Sequence, residues 1–253
     1  MKTDLRDLTF LMPLKVDSII RLENLLAVVR YIHRHFQTHI ALLEVGAYDN
    51  RLLRKLLNPE IRYMFIEDKD PVFHRTKYRN LMAKAVKTTF LAIWDVDVLV
   101  DKKQIICAME KLRRDDADMA YPYDGRFYDT SEIIRKHYMK KPQMRILHKN
   151  QARMTLIYGD DHRGGAFLAN TVKYRLSGME NEHFYGWGPE DYERYDRWKN
   201  MRYRVYCTPG CMYHFTHPRD LNGRFNSERQ KNLTDAERMK TIKSSLPELS
   251  LHT

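Results

Sequence analysis

The sequence predicts an α/β fold with a mostly parallel central sheet flanked by helices. Three observations predict it. Strand-like apolar runs alternate with helix-spaced segments four times in the first hundred residues, the pattern of a wound parallel sheet. The run from Thr89 to Asp97 is almost continuously apolar before it ends in Trp94-Asp95-Val96-Asp97, as expected of a strand buried on both faces. The composition, 43% hydrophobic and 30% charged over 253 residues, is that of a globular chain long enough for one sizeable core.

The elements follow in order. Leu8 to Leu14 reads as the first strand, closed by Pro13, and Asp17 or Ser18 as the N-cap of a helix. That helix carries Ile19, Leu22, Leu25, Leu26, Val29 and Ile32 at helical spacing. Ile40–Val45 is the second strand, with Glu44 near its end; a short helix at Arg51–Leu57 and a third strand at Arg62–Ile66 come next. Asp70-Pro71 has the N-cap and N1 pattern for a helix running through Phe73, Arg75, Lys77, Asn80 and Ala83 to the strand that ends at Asp95 and Asp97. Beyond Asp101 a helix (Lys102–Arg113) and a strand (Met119–Tyr121) are expected. Residues 123–162 are polar and weakly patterned, and read as an excursion or lid beside the site. The last stretch, from about Phe225, is basic and holds one amphipathic helix near Thr234–Ile242.

At positions i and i+2 of a strand, Asp95 and Asp97 point to the same side. They would then converge at the carboxyl edge of the sheet, where open α/β sheets bind ligands. Two carboxylates held this close call for a cation, and a divalent metal carrying phosphate oxygens would supply it. The plainer reading is that one Asp caps the following helix and the other is solvated. No GxGxxG or GxxxxGK follows any strand, which argues against a dinucleotide fold or a P-loop.

Forty-four Lys and Arg against 33 Asp and Glu give a net charge of +11. An acidic partner is implied, whether nucleic acid, anionic lipid head groups or phosphorylated small molecules. Cys107, Cys207 and Cys211 lack the spacing of a zinc site and read as small core residues of a reducing compartment. The apolar runs fall short of the roughly 20 residues of a membrane span. The polar start, Met1 to Asp7, has no hydrophobic signal region after it, so the chain is expected in the cytoplasm.

Two later motifs carry chemistry. Gly164-Gly165 stands directly before the apolar strand of Ala166-Phe167, and a helix follows from Thr171. Downstream lies Phe184-Tyr185-Gly186-Trp187-Gly188-Pro189-Glu190-Asp191. Pro189 suits helix position N1, which puts Glu190 and Asp191 in a first turn whose dipole favours their ionised form. A carboxylate beside an aromatic surface is what a base acting on a sugar hydroxyl needs. Acidic residues in a first turn are also ordinary helix stabilisers, and Trp187 also fits a core position. His214 ends a short apolar strand, and its imidazole could complete a metal shell begun by Asp97, with His217 as the competing ligand.

In their order, Pro13-x-Lys15, Phe73-His74-Arg75-Thr76-Lys77, the DxD strand, the glycine pair, the GWGPED block and the late His resemble the β-1,4-galactosyltransferase group of inverting glycosyltransferases. Bacterial polysaccharide-building relatives of that group are included in the likeness. It covers roughly residues 8 to 220 and is most specific in GGAFLAN and YGWGPEDYERYDR.

The resemblance implies a GT-A fold in a single domain over 1–253, with a nucleotide-binding half (1–101), an acceptor and catalytic half (102–220) and a tail (221–253). It implies a UDP-sugar donor, a saccharide or lipid-linked saccharide acceptor, and manganese held by Asp97 and His214. Pro13 and Lys15 would lie along the uridine, Arg75 on the diphosphate, and Asp95 near the ribose or sugar. Gly164 and Gly165 would line the donor sugar, Trp187 would cover the donor, Glu190 would hold a sugar hydroxyl, and Asp191 would be the base. Glu44, at its strand end, is added as a contact to the uracil or ribose.

The chain departs from the family in Pro189, where Gly is common, and in His162 at the position that helps choose the donor sugar in the animal enzymes. It also lacks the membrane segment and disulfides of the Golgi members, which favours a bacterial, cytoplasmic enzyme. Retaining polypeptide N-acetylgalactosaminyltransferases carry Asn after the corresponding Glu; Glu190-Asp191 favours inversion. The alternatives are a retaining transferase of that kind and a sugar-nucleotide-binding protein without turnover. A nucleic-acid binder is disfavoured, because acidic residues sit among the Tyr and Arg of 192–206 and no nucleic-acid-binding motif is visible. The basic balance fits contact with an anionic membrane surface and, equally, scattered lysines that keep the chain soluble.

Overall fold

The computed structural model describes residues 1–49, 51–219 and 221–244. Its first half alternates β1 (Thr3–Leu14), α1 (Ile19–His35), β2 (Phe36–Gly46), α2 (Leu52–Leu56), β3 (Arg62–Glu67), α3 (Arg75–Ala85) and β4 (Phe90–Trp94). The chain continues through β5 (Val98–Leu99), α4 (Lys102–Arg113), β6 (Met119–Tyr121), β7 (Phe127–Asp129), α5 (Glu132–Lys140), α6 (Met144–Asn150) and β8 (Thr155–Ile157). It ends with β9 (Ala166–Asn170), α7 (Thr171–Leu176), α8 (Glu190–Asn200), β10 (Val205–Cys207), β11 (Met212–His214) and α9 (Glu228–Lys243).

The protein is an α/β fold with a seven-stranded sheet in the order β10-β6-β9-β4-β1-β2-β3 and a four-stranded sheet in the order β5-β11-β7-β8. In the large sheet β1 is parallel to both β2 and β4, while β9 runs antiparallel between β4 and β6. The fully buried strand predicted before Asp95 is β4, with Phe90 to Trp94 all in the core. The strand order reverses between β1 and β4, since β1 leads outward to β2 and β3 while β4 returns to its other side. At such a switch point the carboxyl ends of the strands leave a crevice for ligands. There Pro13 and Lys15 from β1 meet Asp95 and Asp97 from β4, and antiparallel β9 brings its glycine pair to the same edge, the Asp95 amide donating to the Gly165 carbonyl at 2.8 Å.

Several expectations are corrected. β1 and β2 start earlier than the apolar pattern suggested, because Thr3 to Leu5 pair with Phe36 to Thr38 as a ladder extension. β4 stops at Trp94, so Asp95 and Asp97 lie in a turn and their common direction does not come from strand alternation. Asp70-Pro71 starts no helix: Asp70 Oδ1 accepts from the Val72 amide in a local turn, and α3 begins at Arg75. Pro189 is the N-cap residue of α8 rather than N1.

Residues 123–162 form β7, α5, α6 and β8, so they build the second sheet beside the site and are no loose excursion. Buried Arg135 ties α5 to α1 through Asn24 Oδ1 (2.7 Å) and Glu23 Oε2 (2.6 Å). α9 is not amphipathic in the expected sense; Leu233, Met239 and Ile242 are exposed, and the helix buries Thr234 and Thr241. The remainder of the predicted tail, 245–253, lies outside the described residues. The three cysteines are free, and among the described residues no helix is long and apolar enough to cross a membrane.

Candidate active site

One open cleft is lined by Pro13, Lys15, Arg75, Asp95, Asp97, Gly165, Trp187, Glu190, Asp191 and His214. Residues far apart in the sequence thus share one site, and the sheet register explains how. β5 follows Asp97 and pairs antiparallel with β11, which sets His214 opposite Val98. β7 pairs parallel with β11 on its other side, which sets His214 opposite Asp129.

Asp97, His214 and His217 form the one group among the described residues with the spacing of a metal site. Asp97 Oδ2 lies 3.1 Å from His217 Nε2 and 3.8 Å from His214 Nε2. Ligand atoms about 2.1 Å from one ion sit roughly 3 to 3.5 Å apart; the three lie within 4.8 Å of one another, so a small inward movement would let them share a cation. The other ring nitrogens are already committed: His214 Nδ1 bonds Asp129 Oδ1 at 2.7 Å, and His217 Nδ1 bonds the Pro218 carbonyl at 2.8 Å. Both Nε2 atoms therefore face Asp97, in the carboxylate-histidine arrangement that orients metal ligands. Two imidazoles and a carboxylate suit a first-row dication. Burial would push the Asp97 carboxyl up, but His214, His217 and Arg21 together hold it well below the usual range. Expected as alternatives, His214 and His217 are both in place.

α8 presents Glu190 and Asp191 to the same cleft from its first turn. Asp191 Oδ1 accepts from Arg79 Nη1 at 3.2 Å and from Arg194 Nη2 at 2.9 Å. Burial raises its affinity for protons, yet Arg79, Arg194 and Arg75 prevail and bring the carboxyl down to about 2. Both arginines are themselves buried and are anchored by Glu180, whose carboxylate receives Arg194 Nη1 at 2.8 Å and Arg79 Nη1 at 3.4 Å. Among the described residues no hydrogen bond reaches Asp191 Oδ2, which looks toward Gly164. A Cβ on Gly164 would come within 2.7 Å of that oxygen and of His162 Nε2, so the missing side chain is what leaves the oxygen room. Gly165 has a φ of +80°, and a Cβ there would meet Met212 Cε at 2.6 Å.

Glu190 differs from its neighbour. Its Oε1 accepts from Arg75 Nη1 at 3.2 Å, while Oε2 is buried without a partner among the described residues. Burial and the adjacent Asp191 raise its carboxyl to about 7 against the pull of Arg75 and Arg79. Asp95 pairs with Arg79 Nη2 at 3.1 Å, so the two acidic residues of the DxD have separate counter-ions. Lys15 Nζ donates to the Asp70 and Pro71 carbonyls at 2.7 and 3.1 Å. Glu44 is not among the cleft residues: buried near the end of β2, it accepts from the Tyr63 hydroxyl at 2.6 Å, and burial raises its carboxyl.

Trp187 lies on the cleft wall and meets Phe225 edge-on at 4.7 Å, so it is not a core residue. Across from it, His162 stacks on Phe127 and on Tyr158, each at 4.8 Å. No family model matches the chain, and no curated protein matches it. Sequence reasoning gave no role to Arg79 and Arg194, although both lie within or beside the motifs quoted for the resemblance, and it missed Glu180 and Asp129, the latter visible only as the ladder neighbour of His214. It also missed Gln230 of α9, whose Nε2 donates to the Tyr185 and Trp187 carbonyls at 2.8 and 3.2 Å and holds the Trp187 loop.

Proposed function

We propose that this protein is a metal-dependent inverting glycosyltransferase of GT-A type, moving a hexose or N-acetylhexosamine from a UDP-sugar to a saccharide acceptor, free or lipid-linked. The observation that carries the reading is one cleft lined by both a two-histidine, one-carboxylate cation site and an arginine-clamped carboxylate. A nucleotide diphosphate needs the first, and an acceptor hydroxyl needs the second.

Asp97, His214 and His217 would hold the cation, manganese by resemblance. When bound, it would neutralise charge developing on the departing diphosphate. The arginine clamp on Oδ1 fixes the Asp191 carboxylate with Oδ2 free for the acceptor proton. Its low proton affinity keeps it ionised at neutral pH, so no activation step is required. In the reaction the acceptor oxygen bonds to the anomeric carbon, its proton passes to Asp191 Oδ2, and the carbon–phosphate oxygen bond breaks with its electron pair leaving on UDP. Trp187 and the Phe127–Tyr158–His162 wall offer apolar ring faces of the kind that pack on sugars, and Glu190 Oε2 offers a partner to a sugar hydroxyl.

A thermal-shift screen of UDP-Gal, UDP-GalNAc, UDP-Glc, UDP-GlcNAc and GDP-Man, each with and without manganese, tests the reading. Stabilisation by at least one UDP-sugar that requires manganese is expected. No stabilisation by any nucleotide sugar, or stabilisation indifferent to the metal, refutes it. A sugar-nucleotide binder without turnover would pass this screen and fail to release UDP when offered acceptors.

A further inference from the structure

We infer that Arg21, which no motif singles out, is a binding residue for the diphosphate of the donor, paired with Asp97 until a divalent cation takes that carboxylate. The inference rests on the glycosyltransferase reading. Arg21 sits in the first turn of α1 and lines the cleft. Its Nε donates to Asp17 Oδ1 at 2.9 Å, which fixes the root of the guanidinium. The two terminal nitrogens border the cation site: Nη1 is 3.7 Å from Asp97 Oδ2, and Nη2 is 3.4 Å from His217 Nδ1, the ring nitrogen that faces away from Asp97.

The other cations on the cleft wall are engaged elsewhere. Lys15 bonds two backbone carbonyls, Arg75 bonds Glu190, and Arg219 donates to the Tyr158 hydroxyl. Arg21 alone among these has a terminal nitrogen beside an oxygen that a bound metal would claim, Asp97 Oδ2. Once a dication binds Asp97, the guanidinium shares that counter-charge with it and faces a like charge. A nearby anion then becomes its best partner. The diphosphate is that anion, because its oxygens must reach the same cation, and a guanidinium fork matches two phosphate oxygens. The Asp17 bond uses only Nε, which leaves the donors of Nη1 and Nη2 for phosphate oxygens.

The test compares the full chain with Arg21→Gln and Arg21→Lys. Manganese binding alone is followed by electron paramagnetic resonance of the free ion, and UDP binding at saturating manganese by calorimetry. Arg21→Gln should bind manganese more tightly than the parent protein, since a competing positive group is gone. Its UDP affinity should fall by about tenfold or more, the loss of a charge-assisted contact. Arg21→Lys, which keeps the charge without the fork, should fall between the two. UDP affinity within about twofold of the parent in Arg21→Gln overturns the inference, and weaker manganese binding overturns the resting position on the metal ligands. A parent protein that binds neither manganese nor UDP refutes the glycosyltransferase reading instead.

Discussion

Replacing Asp191 by Asn separates the two things this carboxylate does. The amide keeps the shape and retains an oxygen for Arg79 and Arg194, but removes the negative charge facing two buried guanidinium groups. Leaving a buried charge wholly unpaired costs about 3–5 kcal/mol. Here Arg194 Nη1 keeps its hydrogen bonds to both Glu180 carboxylate oxygens at 3.0 and 2.8 Å, and Arg79 keeps Asp95 at 3.1 Å and Glu180 at 3.4 Å. The stability loss should therefore be smaller, about 1–3 kcal/mol. Turnover should fall far more, by roughly 10²–10⁴-fold, the usual worth of a general base. That corresponds to about 3–5 kcal/mol on the barrier. UDP release at saturating donor and acceptor, measured well below the melting temperature of the variant, reads the rate; calorimetry with UDP and manganese reads the donor site, which should be intact. Near-parental turnover refutes Asp191 as the base. A variant that loses UDP binding in step with turnover assigns the residue to the donor site instead.

Asp129→Asn removes the charge that orients His214 through the 2.7 Å bond to Nδ1, and manganese affinity should weaken by about 10–100-fold; an unchanged affinity by paramagnetic resonance removes Asp129 from the metal site. The Glu190 carboxyl is raised from 4.5 to about 7 by burial and by Asp191, with Arg75 and Arg79 from α3 pulling the other way. A raised carboxyl contributes stability that is full below its unfolded value and is lost as pH climbs through the folded one. Between about pH 4.5 and 7 the parent protein should therefore lose stability relative to Glu190→Gln, by an upper bound on the order of 3 kcal/mol. Parallel melting curves for the two proteins across that window contradict the unpartnered, proton-holding state of Glu190.

Much of the large sheet was legible because strand alternation, helix spacing and capping are local properties. The buried β4, the glycine pair before β9 and the acidic first turn of α8 each follow from a handful of neighbouring residues. Errors fell where a local signal had a second use. Asp70-Pro71 satisfies the helix-start pattern equally well as a turn, and its Oδ1 chose the Val72 amide. The charge and Met content of 123–162 hid β7 and β8 because three-residue strands are too short to show a period.

The sequence by itself determined which side chains stand at the ends of strands and helices: Lys15, Asp95, Asp97, Gly164, Gly165, Glu190, Asp191 and His214. Only the tertiary structure decided which of them meet. The β5–β11–β7 ladder brings Asp97, His214 and Asp129 into one cluster that His217 completes, and the reach of Arg79 from α3, with Arg194 of α8 itself, clamps the Asp191 carboxylate while Glu190 Oε2 has no partner among the described residues. It also sets Glu44 against Tyr63 and away from the cleft. The reason is physical: capping and periodicity act between near neighbours, whereas the distance between carboxylate and imidazole, and the proton affinity that results, depend on strand register and on the charges that burial gathers around each group.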